Sequence, residues 1–298
     1  MAEQHNYPRL RFALIGNEYQ VRKSMAISRT LDYLDAHAAE TYIERTYYKF
    51  LTEDQHLDIH CTGVFDELDF EADYVISLGG DGTFLKAAEH VGSRGIPILG
   101  VNMGRLGFLA DVLPSEIEKS LDEIYASEHH LEAHSVIKVE ADGEEISCSP
   151  YALNDIAILK RDTASMISVD CRINDQPIVT YQADGLIIST PTGSTAYNLS
   201  NGGPIIVPSA NNLCLTPVAP HSLNIRPIVI NDDSVIDLEV ESRSHNFLVA
   251  VDGRSAKLRQ GTTLRITKAP YKINIVKQHG SHYFSTLRDK LMWGADQR

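Results

Sequence analysis

Along the first third of the chain, short apolar runs alternate with stretches of helical periodicity. Residues 10–15 form a compact apolar run ending at the turn signal Gly16-Asn17, which reads as a buried strand. Val21, Met25, Leu31, Leu34 and Ala38 follow at near-helical spacing and predict a helix over 20–37. Residues 74–78 and 96–101 read as two more strands, and between them Phe84, Leu85, Ala88 and Val91 mark one face of a helix. Ser115 with Glu118 suggests a capping box opening a helix over 115–126. Strand–helix alternation of this kind predicts a parallel sheet flanked by helices.

Past residue 130 the rhythm shortens. Runs rich in β-branched residues at 133–139, 155–159, 166–173, 177–181, 186–190, 235–240, 247–251, 264–267 and 273–276 predict strands, with Asn174-Asp175 as a hairpin turn. Many short strands broken by turn residues imply a β-rich, sandwich-like domain. Leu287, Leu291, Met292 and Trp293 then give the end of the chain an apolar helical edge. The expected organisation is an α/β domain over 1–128, a β-rich domain over 129–278, and a helical segment over 279–298 that packs back on the first domain. No linker is rich in Pro or Gly, so the two domains are expected to pack closely around a cleft, a favoured place for ligands.

Charge narrows the choice of partner. Lys and Arg number 27 against 40 Asp and Glu, a net charge of −13, which repels phosphate backbones. The longest basic feature is a pair such as Arg22-Lys23, so nucleic acid is not an expected partner. Residues 1–11 are polar rather than signal-like, and no run approaches the roughly 20 apolar residues of a membrane span. The four cysteines, Cys61, Cys148, Cys171 and Cys214, form no Cys-x-x-Cys pair and read as buried thiols in a reducing compartment. A cytoplasmic protein without membrane partners is the expectation.

The chemistry centres on Gly79-Gly80-Asp81-Gly82-Thr83, between a predicted strand and a predicted helix. Glycines let the backbone turn sharply and approach a ligand, and the helix that follows turns its positive end toward bound phosphate. Gly79, Gly80, Gly82 and Thr83 are therefore candidate phosphate binders, Thr83 through its hydroxyl. Asp81 is the odd component, because a carboxylate repels phosphate. It makes sense if it takes a proton from an attacking hydroxyl or helps to hold a divalent cation. In isolation the same residues also read as an ordinary β–α turn in which Asp81 caps the helix. Neither a Gly-x-x-x-x-Gly-Lys-Ser/Thr loop nor a Gly-x-Gly-x-x-Gly loop after a strand is present, which argues against P-loop and ordinary dinucleotide-binding enzymes.

The Gly-Gly-Asp-Gly-Thr segment resembles the phosphate loop shared by NAD kinases, diacylglycerol-type lipid kinases and, more loosely, phosphofructokinases. Three further segments separate these. Residues 102–109 (Asn-Met-Gly-Arg-Leu-Gly-Phe-Leu), the pair Asn154-Asp155, and Asp184-Gly185 followed by 190–197 (Thr-Pro-Thr-Gly-Ser-Thr-Ala-Tyr) are similar to NAD kinase motifs in the same order. The resemblance runs from Gly16-Asn17 to a family-like C-terminal helix at 286–294 and so covers nearly the whole chain.

It implies that ATP or another polyphosphate donor lies along the glycine loop with a divalent metal, magnesium in the family, carried on its phosphates. It further implies that Asp81 is the catalytic base for the ribose 2′-hydroxyl of NAD. Asn154, Asp155, Thr192, Ser194, Thr195, Ala196 and Tyr197 would hold the adenosine, Asp184 would lie toward the nicotinamide end, and Phe108 would wall the site. Asp252, otherwise a hairpin-turn residue beside Gly253, matches a ligand-proximal acidic turn of the family. The family often has Glu where this chain has Asp155, one methylene shorter, which puts the ribose contact in a new place or behind a water. For 191–197 the residues alone suggest a strand-to-helix turn with Ser194 or Thr195 as N-cap and Tyr197 in the core. His129, His130, Glu132 and His134 occupy a polar junction without helical support and do not make a convincing metal site. The family's habit of forming homodimers or homotetramers carries over as an expectation.

Overall fold

A computed structural model describes residues 8–17, 24–67, 69–104, 107–162 and 165–294. Val21 of the predicted first helix, the Arg22-Lys23 pair, and Arg105 and Leu106 of the 102–109 segment lie outside these residues. The chain divides into two compact units, one comprising 1–133 and 273–298 and the other 134–272.

The first unit is a parallel α/β structure. Its N-terminal part runs β1 (Arg11–Gly16), α1 (Ser24–Ala36), β2 (Glu40–Glu44), α2 (Arg45–Lys49), β3 (Gly63–Phe65), β4 (Tyr74–Gly79), α3 (Asp81–Val91), β5 (Ile98–Asn102) and α4 (Ile117–Tyr125). The strands pair in parallel in the order β3-β2-β1-β4-β5. β1, β4 and β5 are buried along nearly their whole lengths, as expected of strands covered on both faces. Phe12, Leu14, Ile76, Leu78, Leu99 and Val101 from these strands share a core with Leu34 of α1 and Leu121 of α4. On α3 the buried face is Thr83, Phe84, Ala87, Ala88 and Val91, so Ala87 rather than the half-buried Leu85 completes the stripe.

The Ser115–Glu118 capping box does not form. A 3₁₀ turn at Pro114–Glu116 precedes α4, and Glu116 is the residue that accepts the Leu113 N–H, at 3.4 Å. Pro114 sets this tight turn and displaces the helix start by two residues, leaving Glu118 free to pair with Arg29 at 2.8 Å.

The second unit is two antiparallel sheets around one core. It contains most of β6 (His130–Ala141), β7 (Tyr151–Ala152), β8 (Asp155–Lys160), β9 (Ile167–Ile173), β10 (Gln176–Ala183), β11 (Gly185–Ser189), the one-turn α5 (Tyr197–Ser200), β12 (Asn212–Val218), β13 (Ile228–Asn231), β14 (Ile236–Ser242), β15 (Asn246–Val251), β16 (Arg254–Arg259) and most of β17 (Thr263–Lys277). One sheet runs β13-β12-β11-β8-β15-β16. In the other, β10, β9, β14 and β17 are successive neighbours. Ile156, Leu186, Leu213 and Val249 from the first sheet and Val169, Tyr181, Leu238 and Leu264 from the second belong to a single buried cluster, which makes the unit a sandwich. Asn174 and Asp175 both take positive φ, 50° and 63°, as a two-residue hairpin turn requires. Cys171 and Cys214 are buried, whereas Cys61 and Cys148 are only partly so.

The two runs predicted at 264–267 and 273–276 are one 15-residue strand, β17. Its first part pairs with β14, and Ile275 pairs in parallel with Ile98 of β5, so residues 273–277 extend the sheet of the first unit. The chain then enters α6 (Tyr283–Leu291). Gln278 and His279 bind Ser120 and Glu123 of α4, which fixes the C-terminal segment on the first unit. Met292 and Trp293, expected on the apolar edge of this helix, lie past its end and are exposed, because Met292 takes the left-handed conformation that ends α6. Among the described residues no helix is long and apolar enough to cross a membrane.

Candidate active site

The glycine loop joins β4 to α3. Gly80 is the N-cap of α3, its carbonyl accepts the Thr83 and Phe84 N–H groups at 3.0 Å each, and it has no side chain with which to cap. None of Gly79, Gly80 and Gly82 takes positive φ. Their use is therefore spatial rather than conformational. A Cβ on Gly80 or Gly82 would meet nothing within 4 Å, so the bare backbone faces open space at the positive end of the helix. Thr83 is buried on the first turn, against Gly79.

Asp81 does not cap α3. Its carboxylate reaches out of the helix to a different loop: Oδ2 accepts the Phe108 N–H at 3.0 Å, and Oδ1 accepts the Leu109 and Ala110 N–H groups at 3.1 Å each. The loop is a β–α turn, but the expectation that Asp81 caps its helix does not hold. The loop is shaped for this contact. Asn102, almost fully buried, donates from Nδ2 to the Ala110 carbonyl and accepts the Gly104 N–H, while Met103 N–H bonds to the Gly79 carbonyl at 2.8 Å. Next to Ala110, Asp111 pairs with the buried Lys277 at 2.6 Å. The 79–83 and 102–109 motifs are thus one structure. Phe108 is half-buried, 6.3 Å between ring centroids from Tyr283 of α6. Lys290 of α6 places Nζ 3.3 Å from Asp81 Oδ2 and 4.3 Å from the centre of the Phe108 ring.

The second unit ties its own motifs together by the same device. Asp252, in the turn between β15 and β16, takes φ 47° and is followed by Gly253 at 82°. Its carboxylate accepts the N–H groups of Leu153 and Asn154 at 2.8 Å and of Asp155 at 3.1 Å. Asp252 is therefore an organiser of the Asn154-Asp155 pair as well as a turn residue. Asp155 is buried, with 7% of its surface exposed, and its carboxyl is pushed up to about 7, first by burial and then by the charge of Asp252. Burial also raises Asp252, against the pull of its three N–H donors and Arg254.

The turn after β11 packs directly on this pair. Thr190 N–H bonds to the Asn154 carbonyl at 2.9 Å, and a Cβ on Gly193 would come within 2.1 Å of the same oxygen. Within the turn the polar side chains divide by burial. Thr192 is buried and shares a 2.8 Å hydrogen bond with His134 Nδ1, and Ser194 both donates to the Ile206 carbonyl and accepts the Ile206 N–H. Thr195 and Ala196 are partly exposed and Tyr197 is 40% exposed. Ala196, not Ser194 or Thr195, is the N-cap of α5, and Tyr197 stands out of the core. Asp184 precedes β11 and pairs with Lys160 at 2.7 Å. His129 contacts Tyr74, His130 is exposed and His134 faces Thr192; among the described residues no three His, Cys, Asp or Glu gather as metal ligands.

Residues 13–129 match the ATP-NAD kinase N-terminal domain family and residues 153–278 the ATP-NAD kinase C-terminal domain family. The chain is 55% identical over 289 residues to an NAD kinase of Bacteroides fragilis, covering 97% of this chain and all of that one. The chain belongs to the NAD kinase family. An NAD kinase of Porphyromonas gingivalis is 44% identical over 290 residues, covering 97% of this chain and 99% of the relative. Among solved structures, an NAD kinase from Archaeoglobus fulgidus in complex with ATP aligns with TM-score 0.74 and 25% identity, over 95% of this chain and 99% of that chain. Yeast NADH kinase complexed with NADH shares the fold, with TM-score 0.89 at 22% identity over 98% and 89% of the two chains. The activity of the chain is that of an NAD kinase, a phosphotransferase.

Several residues that shape these two regions of the NAD kinase carry no motif of their own. His134 was visible only as one of a loose group of histidines, and its partner Thr192 is remote in sequence. Asn198 is fully buried; it donates to the Ser194 and Pro204 carbonyls and accepts the Thr216 hydroxyl at 2.6 Å, forming the floor of the 191–197 turn. Lys290 lies at the far end of the chain from Asp81. A basic residue in the last turn of an amphipathic helix is common, and only the fold makes it notable.

Proposed function

We propose that this NAD kinase moves the terminal phosphoryl group of ATP, or of another polyphosphate donor, onto the 2′-hydroxyl of the adenosine ribose of NAD, with Asp81 as the proton acceptor. The observation that carries the reading is the Asp81 carboxylate. It is held rigidly by backbone N–H groups of residues 108–110, one residue from the bare glycines at the N-terminus of α3. Phosphoryl transfer needs alignment and charge neutralisation more than covalent help, and a fixed carboxylate beside a phosphate-binding helix end supplies the alignment. The ATP complex of the Archaeoglobus enzyme and the NADH complex of the yeast enzyme support the two substrate classes.

On this reading, residues 1–128 supply the donor half and 129–278 the NAD half. Gly79, Gly80, Gly82 and Thr83 bind the donor phosphates. Asn154, Asp155, Thr195, Ala196 and Tyr197 contact the adenosine, Thr192 and Ser194 hold that turn in shape, Phe108 lines the site, and Asp184 faces the nicotinamide end. The ribose oxygen attacks the terminal phosphorus, its proton passes to Asp81, and the bond to the leaving phosphate breaks with its electron pair. Asp252 acts by fixing Asn154 and Asp155. A divalent metal such as magnesium does not fit Asp81 directly, because an ammonium and backbone N–H groups already face the carboxylate. The metal is read as bound to the donor's phosphates, where it would neutralise their charge. Cytoplasmic location and assembly as a homodimer or homotetramer complete the reading.

The test is to incubate the pure chain with NAD, ATP and Mg²⁺ and to identify the product by phosphorus NMR. A 2′-phosphate is expected. A phosphate on the 3′-hydroxyl, or unaltered turnover when Asp81 is replaced by Asn, overturns the assignment.

A further inference from the structure

A carboxylate offers about four in-plane acceptor positions, two on each oxygen. Among the described residues, four donors face Asp81: Leu109 and Ala110 N–H on Oδ1, and Phe108 N–H and Lys290 Nζ on Oδ2. Three of these are backbone groups and cannot leave without unmaking the 108–110 loop. The fourth is the end of a lysine side chain. The two partners are 28% and 31% exposed, so the ammonium can exchange one anion for another without being stranded in a dry core.

The placement of Lys290 is built rather than incidental. Tyr283, Leu287 and Lys290 fall at i, i+4 and i+7 and share one face of α6. Leu287 is buried, Tyr283 lies against Phe108, and the Lys290 ammonium rests over the Phe108 ring at 4.3 Å. Phe108 is also the residue whose N–H binds Oδ2. Lys290 is thus held between the Phe108 ring and Oδ2 of Asp81.

Building on Asp81 as the proton acceptor, we infer that Oδ2 is the reacting oxygen and that Lys290 is a further catalytic residue. Its ammonium keeps the acceptor position on Oδ2 and yields it to the ribose hydroxyl. It then pairs with the phosphoryl group in transfer. No covalent bond to Lys290 is made or broken, and it keeps its protons throughout. The hydroxyl proton goes to Oδ2, the ribose oxygen bonds to phosphorus, and the electron pair of the broken P–O bond leaves with the donor. A cation at that point neutralises charge that spreads over the equatorial oxygens of the transition state.

The experiment compares Lys290→Met, Lys290→Arg, Asp81→Asn and the double variant Asp81→Asn/Lys290→Met in NADP formation, with NAD binding by calorimetry and melting temperature as controls. Lys290→Met should lower kcat by at least ~30-fold, below the ~10²–10³-fold of a lost oxyanion donor because the site is part-solvated. The KM for NAD should stay within about threefold, as uniform binding is untouched. Lys290→Arg, which keeps the charge, should recover part of kcat. The double variant should be slower than Asp81→Asn alone. Lys290→Gln is read in place of the Met variant if the latter melts early. Wild-type or raised kcat in Lys290→Met, with Asp81→Asn impaired, overturns the Lys290 inference alone. A double variant no slower than Asp81→Asn would reduce Lys290 to a support for Asp81 and likewise overturn it. Full turnover by Asp81→Asn overturns the reading beneath it.

Discussion

A Cβ on Gly107 would stand 2.0 Å from Oδ1 of Asp81. The glycine of the 102–109 segment is therefore a condition for the geometry of the aspartate in the 79–83 loop. Gly107→Ala must push either the carboxylate or the loop aside. Overpacking of this kind costs about 1–3 kcal/mol, and a displacement near 1 Å at a reacting group can cost ~10²-fold in rate. The expected outcome is a folded variant, modestly less stable in urea, with kcat reduced at least ~30-fold on the same grounds. A kcat near that of the parent would mean that Asp81 tolerates movement and is not the aligned base.

Asp81→Asn is the more direct probe. The amide oxygen can still accept the Leu109 and Ala110 N–H groups, so the loop should persist and NAD binding should survive. General-base catalysis contributes typically ~10²–10⁴-fold, so kcat should fall by at least ~10². Steady-state rates with the KM for NAD measured alongside check both halves of this expectation.

Much of this is legible in the sequence, and the limits have physical causes. The buried parallel strands β1, β4 and β5 announce themselves as apolar runs, and the glycine loop follows from its position between β4 and α3. β16 (Arg-Ser-Ala-Lys-Leu-Arg) gives no apolar run because only Ala256 and Leu258 of it are buried. β12 carries Pro217 and β17 carries Pro270, and a proline argues against an uninterrupted strand. In β17 the proline is tolerated between two paired segments, residues 263–266 against β14 and Ile275 against β5. The roles of Asp252 and Lys290 rest on contacts with residues about a hundred and two hundred positions away, which leave no local pattern.

Asp252 should matter to stability before it matters to rate. Asp252→Ala leaves the N–H groups of Leu153, Asn154 and Asp155 without their acceptor, and each unpaired donor costs about 1–3 kcal/mol where water cannot replace it. A loss of about 3 kcal/mol or more in urea unfolding is expected, again by unpaired-donor costs. Asp252→Asn, which keeps one acceptor oxygen, should recover part of it. Equal losses in the two variants would show that the carboxylate's hydrogen bonds are not what holds the 153–155 segment.

The Asp155 carboxyl makes a pH prediction. Its folded value, about 7, lies above the ordinary aspartate value of about 4, so the folded state binds the proton more tightly than the unfolded state. Stability from this group is present at low pH and is lost as pH rises from about 4 through about 7, because over that window the unfolded chain has released a proton that the fold retains. The raised Asp252 carboxyl acts with the same sign. Asp155→Asn removes the ionisable group. The fall in unfolding free energy between pH 5 and pH 8 should therefore be smaller in the variant than in the parent. Parallel profiles would mean that Asp155 ionises freely in the fold.

Tyr197 and Asn198 are adjacent in sequence and should separate binding from folding. Tyr197 is 40% exposed in the turn assigned to the adenosine, whereas Asn198 is fully buried and bonds to Ser194, Pro204 and Thr216. Stacking of a base on an aromatic ring is worth about 1–3 kcal/mol, so Tyr197→Ala should weaken NAD binding by roughly 5- to 150-fold. Its melting temperature should barely change, since little buried surface is lost. Asn198→Ala should do the reverse. It removes the acceptor of the Thr216 hydroxyl, which is left with Cys214 Sγ, and strands two carbonyls, at about 1–3 kcal/mol for each group that water cannot reach, and it lowers NAD affinity only as far as the turn loosens. Calorimetric NAD affinity and thermal melting on the two variants give a two-by-two comparison. If Tyr197→Ala binds NAD as the parent does, the adenosine is not read by this turn, and the roles given to Thr195 and Ala196 fall with it.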